Sequence, residues 1–401
     1  MLVLLIILFC LLPCKVCAAG TVEDEMPIIA YYGVTEPHTN EEAFRTFRDC
    51  GFTVSLFPYS SLESLVKACN TAESLGIKII GCCPELRTSP AQTASVLKEE
   101  KGFYGYLIRD EPTLPEIKEQ QTLISTLNRT DSMHLFYINL LPYSDPEKSL
   151  KGIKANSYQE YLQAFTATLC QQISFDIYPI TTKGIRPTWY HNLEMIRQES
   201  LRTGKPFWGF ALSMPHDVPY TPNTYYPTPT LAALRLQVYA NLAYGAQAIQ
   251  YFTYWTPEDN QALHFHDAPI NRDGKKAKTY DVVQKMNREL KEIARLFYGA
   301  KVISVHHLGG PLSEGTIKLT QAPMNLTLLK VVSKKGTIIS QLEKNGHRYL
   351  SIVNKDYKNS IKVYVKAKND IPQHLTKSLE EEPIKDCYTI SAGNILLFRL
   401  K

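Results

Sequence analysis

The sequence of 401 residues predicts an α/β protein, a (β/α)8 TIM barrel followed by a small C-terminal antiparallel β-sandwich domain. Three observations carry this expectation. Eight short apolar runs alternate with amphipathic segments of helical spacing, no run is followed by a glycine-rich phosphate loop, and the texture turns to short alternating strands after Gly299. Near-continuous apolar strands separated by helices of ten or more residues indicate parallel strands covered on both faces. Eight such units in about 280 residues suit a closed barrel of roughly 250 residues with insertions. An open doubly wound sheet would instead show a GxGxxG or Walker-type turn.

The elements follow in order. Residues 1–19, within MLVLLIILFCLLPCKVCAAG, read as a signal peptide. Its apolar run is too short for a typical membrane helix, and small residues follow at Ala18, Ala19 and Gly20. No Lys or Arg precedes the run, and cleavage near Ala18 or Ala19 and lipidation of Cys14 or Cys17 are the two alternatives. The expected destination is therefore the periplasm, the outer membrane as a lipoprotein, or the exterior, with no membrane span and an N-terminal lipid anchor left open.

The barrel is expected over 26–300. Its strand runs are PIIAYYG (27–33), FTVSLFP (52–58), IKIIGCCPE (77–85), FYGYLIRDE (103–111), LFYINLLP (135–142), ISFDIYP (173–179), PFWGFALS (206–213) and AIQYFTYW (248–255). Helical spacing marks the segments that begin at Asn40, Ser61, Thr113, Ser157, Thr188, Thr230 and Thr279. Residues 301–401 alternate with a period of two and are split by Asn-Gly and Ala-Gly turns, which predicts the sandwich. Its last strand is expected to close the sheet against the barrel.

Composition narrows the function. A net charge of +5 without a long basic run gives no footprint for nucleic acid and leaves a neutral ligand as the default. The 24 tyrosines, many beside prolines at strand ends, hint at a surface that stacks on sugar rings. Six cysteines lie beyond the signal without a CxxC pair and read as buried free thiols. The pairs His264 with His266 and His306 with His307 lack an acidic cluster, so no metal is expected and no cofactor is required. GxSxG and HExxH are absent.

Catalytic groups of such a barrel sit at the C-terminal ends of its strands. Those ends carry Glu36, Glu85, Asp110, Glu111, Asn139, Asp176, Tyr178, Ser213, His216, Asp217, Trp255, Glu258 and Asp259. Strand alternation puts Gly105, Leu107, Arg109 and Glu111 on one face, so Glu111 is expected in the barrel mouth and Asp110 toward the helices. Pro112 ends the strand. Asp176, a carboxylate in an apolar strand, needs the mouth or a partner to offset its burial. Carboxylates, amides and aromatics in one mouth suit glycosidic-bond hydrolysis. Glu111 and Asp176 are the catalytic candidates, and Asn139, Tyr178, Gln250, Tyr254, Trp255 and Trp189 the candidate substrate contacts.

The stretches YGYLIRDEP, YINLLP, SFDIYP, LAYGAQAIQYFTYW and AGNILLFRL make the chain resemble clan A (β/α)8-barrel glycoside hydrolases, the exported β-galactosidase-like glycosidases of Bacteroidetes that carry a C-terminal β-domain. The resemblance implies a carbohydrate substrate and a Glu acid/base at the end of strand four, a position Glu111 matches. It also implies a Glu nucleophile at the end of strand seven. PFWGFALSMPHD departs from that pattern, with Ser213 and Met214 at the place of the Glu. Asp176 as the second carboxylate, Asp217 reaching in from its loop, or glycan binding without cleavage are the alternatives that follow.

Overall fold

The computed structural model describes residues 25–218, 221, 223–261, 263–368 and 372–401. The expected signal peptide, 1–19, lies outside the described residues. Eight parallel strands close into a barrel: β1 (Ile28–Tyr31), β2 (Val54–Pro58), β3 (Lys78–Cys82), β4 (Phe103–Asp110), β5 (Leu135–Leu140), β6 (Ile173–Phe175), β7 (Phe207–Leu212) and β8 (Ala248–Phe252). Each lies inside one of the eight apolar runs, and β8 pairs with β1 to complete the ring. No helix among the described residues is long and apolar enough to cross a membrane.

The helices start where side chains satisfy their free N–H groups. Asn40, Ser61, Ser157 and Thr230 each accept a hydrogen bond from the residue three positions on. Three helical segments escape the apolar spacing, Glu85–Thr88, Pro90–Leu97 and Pro146–Ile153, and each is too short to set up a period of 3.6. The helix Leu231–Tyr244 is apolar almost all round because it is sandwiched between barrel and β-region. Gly209 on β7 lets it approach: a Cβ there would stand 2.0 Å from Asn241 Oδ1, and Asn241 Nδ2 instead donates to the Phe210 carbonyl at 3.0 Å.

Beyond residue 300 the strands form a six-stranded and a three-stranded sheet around a shared core that includes Ile339, Leu350, Ile352, Val363, Val365 and Phe398. The hairpin at Asn345–Gly346 has positive φ at both residues, 51° and 78°, the backbone that an Asn-Gly turn favours. The last strand, Ile395–Arg399, lies inside the six-stranded sheet between His347–Asn354 and Gln373–Leu375. Its Ile395 and Leu397 join the core that continues into the barrel layer.

Polar contacts lock the two regions together. Glu289 on the last barrel helix accepts from Arg235, from the Tyr239 hydroxyl at 2.9 Å and from Lys377 at 2.5 Å. Lys355 is 5% exposed, with Nζ 3.1 Å from His307 Nδ1 and 4.6 Å from the centre of the Tyr190 ring. His307 Nε2 meets the Tyr244 hydroxyl at 3.0 Å, so this histidine is part of the junction. All six described cysteines are free; Cys50, Cys69, Cys83 and Cys170 are buried, Cys82 half-buried and Cys387 exposed.

Candidate active site

The C-terminal ends of β4, β5 and β6 bring three carboxyl groups to one cavity of about 640 Å³. Asp110 and Glu111 end β4, Asn139 is the fifth residue of β5, and Asp176 directly follows β6. The cavity falls within the roughly 300 to 1,000 Å³ usual for a small-molecule site.

Local backbone geometry aims these groups. The pairing of β4 with β5 slips by one residue between Leu107 and Arg109, a bulge that resets the alternation. Leu107 points to the barrel interior, Ile108 to the outer core, and Arg109 bonds Glu116 of the following helix at 2.6 Å. The uninterrupted alternation that put Asp110 toward the helices is therefore corrected: Asp110 lines the cavity together with Glu111. Glu111 has φ +44°, a conformation that L side chains rarely adopt, and its N–H donates to the Asn139 carbonyl at 2.9 Å. That turn costs about 1 to 3 kcal/mol and brings two successive side chains to the same opening.

Asn139 is the hinge of the cluster. Its Nδ2 donates to Asp176 Oδ1 at 3.1 Å and to Asp110 Oδ1 at 3.2 Å, while Oδ1 accepts from Ser174 at 3.0 Å. Ser174 is held in turn by Gln250 Nε2 at 2.9 Å, and the Tyr137 hydroxyl donates to Gln250 Oε1 at 2.6 Å. Asp110 also accepts from the Tyr31 hydroxyl, and Asp176 from the Tyr178 hydroxyl.

Asp176 is buried at the floor of the cavity, whereas Asp110 and Glu111 stand at its solvent-exposed rim with little room around their carboxyls. Burial, helped by the negative charges of Asp176 and Asp110, pushes Glu111 up to about 9, and its proton bridges to the Asp176 carboxylate. Burial and the charge of Asp110 push Asp176 up to about 7, against the hydrogen bonds from Tyr178 and Asn139. Asp110 is raised mainly by burial. Three carboxyls this close share protons, so at neutral pH a proton donor sits beside a carboxylate. His216, at the cavity wall, is pushed down to about 4 by burial and is neutral there.

Aromatic rings form the walls. Tyr178 stacks on Phe252 at 5.5 Å and meets Tyr226 edge-on at 5.8 Å, while Tyr31 and Phe210 lie 5.9 Å apart. Apart from Tyr178, these five are residues that strand-end reading missed, as is Arg186. Tyr31 and Phe252 do occupy strand ends, a signal sufficient to have found them; Tyr226 lies on a two-residue strand and Arg186 directly follows another, both too short for periodicity to mark.

Other candidates stand elsewhere. Gln250 is fully buried beneath the cavity, in the Ser174 network. Tyr254 is fully buried against Phe47 and Phe52 of the outer layer. Trp255 stacks on His38 at 4.3 Å, and Trp189 opens a helix with its ring on Tyr190 at 4.7 Å; neither lines the cavity. Glu36 accepts from Ser60, and Glu258 and Asp259 pair with Arg272. Glu85 opens a short helix outside the cavity, and Asp217 is not among the residues that line it. Ser213 and Met214 are completely buried, with Ser213 Oγ donating to the Thr253 carbonyl at 2.5 Å. The end of β7 thus offers no carboxylate to the cavity. Among the described residues, no group of three or more His, Cys, Asp or Glu side chains could hold a metal ion.

The glycoside hydrolase 42 family model, described as β-galactosidase, matches residues 147–293, from the short helix after β5 to the last barrel helix. No curated protein matches the chain. Among solved structures, the β-galactosidase from Bacillus circulans sp. alkalophilus superposes with a TM-score of 0.62 at 10% identity, covering 94% of this chain and 99% of its own. The cold-adapted β-galactosidase from Rahnella sp. R3 gives 0.58 at 9%, covering 95% and 99%. A glycoside hydrolase family 5 protein from Bacteroides vulgatus ATCC 8482 gives 0.55 at 11%, covering 93% and 88%. At these identities the likeness is one of fold, the (β/α)-barrel found in glycoside hydrolases.

Proposed function

We propose that this chain is an exported glycoside hydrolase that cleaves O-glycosidic bonds of oligo- or polysaccharides, with Glu111 as general acid and Asp176 as the second carboxylate. The observation that carries the reading is the convergence of Asp110, Glu111 and Asp176 on one cavity at the strand ends, with Asn139 joining Asp110 to Asp176; burial and their mutual charge raise Glu111 above Asp176. A glycosidase needs a protonated and an ionised carboxyl side by side, one group to protonate the leaving oxygen and one to attack or to activate water. The family match over 147–293 supports the class, and it begins only after β5, so Glu111 rests on geometry alone.

The separation of the two carboxyl groups with substrate bound decides the outcome, roughly 5 to 5.5 Å for retention and roughly 6.5 to 9.5 Å for inversion. Asn139 and Tyr178 keep Asp176 oriented when it loses the Glu111 proton. Replacing Glu111→Gln and measuring hydrolysis across a panel of aryl glycosides and oligosaccharides tests the assignment. Turnover falls by about 10²- to 10⁴-fold for loss of a general acid; unchanged turnover removes Glu111 from the role.

One observation favours a second reading, a glycan-binding protein of the same fold: the end of β7 carries buried Ser213 and Met214 where clan A enzymes place a Glu. Calorimetric binding of an oligosaccharide with no product after prolonged incubation selects it.

A further inference from the structure

We propose that the glycan carries an anionic substituent, a uronate carboxylate or a sulfate ester, and that Arg186 recognises it. The proposal rests on the glycan reading of this cavity and adds the substrate class. Arg186 follows the small hairpin Ile180–Thr181 and Gly184–Ile185 that leads away from the end of β6. Its backbone N–H donates to the Pro179 carbonyl at 2.8 Å, which pins the residue to the barrel mouth.

The half-buried side chain lines the cavity. Nη2 donates to the Tyr226 hydroxyl at 2.8 Å, and the guanidinium carbon stands 5.5 Å from the centre of that ring. Nε is buried without a partner. No Asp or Glu among the described residues comes within ion-pair distance, whereas Arg109, Arg197, Arg202 and Arg235 each hold a carboxylate. A guanidinium braced by a phenol and not neutralised is a fork left open for a carboxylate or sulfate.

Position relates this cation to the proton-transfer pair. Tyr226 lies between them: its ring packs on Tyr178, whose hydroxyl donates to Asp176, and its hydroxyl accepts from Arg186. Two rings, those of Tyr178 and Tyr226, therefore separate the cation from Asp176, and all four residues line the same cavity, so a substituent or neighbouring residue of a glycan bound there meets the guanidinium. His216 packs on the other side of Tyr226 at 4.5 Å and is uncharged at neutral pH, so it does not compete for the anion. Lys148 also lines the cavity, next to Asp145 whose charge offsets it, which leaves Arg186 as the cation without a neighbouring counter-charge there among the described residues. A neutral glycan would cover the guanidinium without returning a counter-charge, which costs desolvation free energy. The small net charge of the chain pointed to a neutral ligand, but net charge describes the whole surface and not the wall of one cavity.

The test is calorimetric titration of full-length Glu111→Gln protein, and of wild type should that variant misfold, with oligogalacturonate, chondroitin sulfate oligosaccharides and neutral β-1,4-galacto-oligosaccharides, at low and high salt. One acidic series is expected to bind about 10- to 100-fold more tightly than the neutral one, as a charged hydrogen bond predicts, and to weaken with salt. The carboxylate and sulfate arms identify which anion is read. Arg186→Gln in the same background is expected to remove that preference, and Arg186→Lys to restore only part of it. Neutral glycans bound as tightly as acidic ones overturn the anionic assignment and leave the glycosidase reading standing. An acidic preference indifferent to Arg186→Gln overturns the role of Arg186, and no binding by any series overturns both.

Discussion

Asp176→Asn should make the protein more stable at neutral and alkaline pH while it destroys activity. Asp176 is 8% exposed, and burial with the charge of Asp110 lifts it from 3.8 to about 7. Between those values the folded chain holds a proton that the unfolded chain has released, so stability falls as pH rises. The loss is complete above about 7 and absent below about 4. At about 1.4 kcal/mol per pH unit, the cost to the folded state above pH 7 is about 4 kcal/mol. Asn keeps the shape and removes the charge. It also replaces the acceptor that Asn139 Nδ2 and the Tyr178 hydroxyl use, worth about 1 kcal/mol each, so a net gain of about 2 kcal/mol is expected at pH 8. Urea denaturation of wild type and variant at pH 4, 5.5, 7 and 8.5 measures the difference; because the Asp176 charge also raises Glu111, relief of Glu111 in the variant adds to it in the same direction. A stability difference that is flat across this range would refute the argument that Asp176 is a strained carboxylate.

Three further outcomes follow. The rate should pass through a maximum between about pH 7 and about pH 9, because Asp176 must lose its proton and Glu111 must keep its own; a maximum near pH 4 to 5 contradicts the pair. Asn139→Ala removes the donor shared by Asp110 and Asp176, so the acid limb of that profile should move to higher pH; an unmoved limb shows that Asn139 does not set the ionisation. Lys355→Met should stabilise the junction between barrel and β-region by up to about 3 kcal/mol at pH 7, since burial pushes Lys355 down from 10.5 to about 8. That penalty is complete below about 8 and relieved as pH rises to 10.5, so melting curves of the two proteins should converge in alkali.

The barrel was legible because each strand is covered on both faces, so burial writes a continuous apolar run at every one of the eight positions. Turn chemistry was legible for the same kind of local reason, as Asn345 and Gly346 show. Glu111, Asp176, Asn139 and Tyr178 could be named because strand ends converge in a barrel. Their contacts across strands could not, since they join segments far apart in the chain, 29 positions for Asn139 with Asp110 and 37 for Asn139 with Asp176. Alternation along β4 failed at Asp110 because one bulged residue reverses the faces, and a bulge leaves no composition signature. Tyr254 and Trp255 belong to the outer layer because the chain leaves the barrel after Phe252, which periodicity does not announce.

What the amino-acid sequence determined by itself is therefore the order of strands and helices, and which chemical groups stand at the strand ends. Hydrophobic burial and backbone hydrogen bonding act locally enough to print that order in the chain. Only the tertiary structure decided that three carboxyls share one cavity, that Asn139 joins two of them, and that Arg186 lines it without a carboxylate partner among the described residues. Those properties depend on distances and desolvation between segments far apart in sequence, and both come into being when the barrel closes.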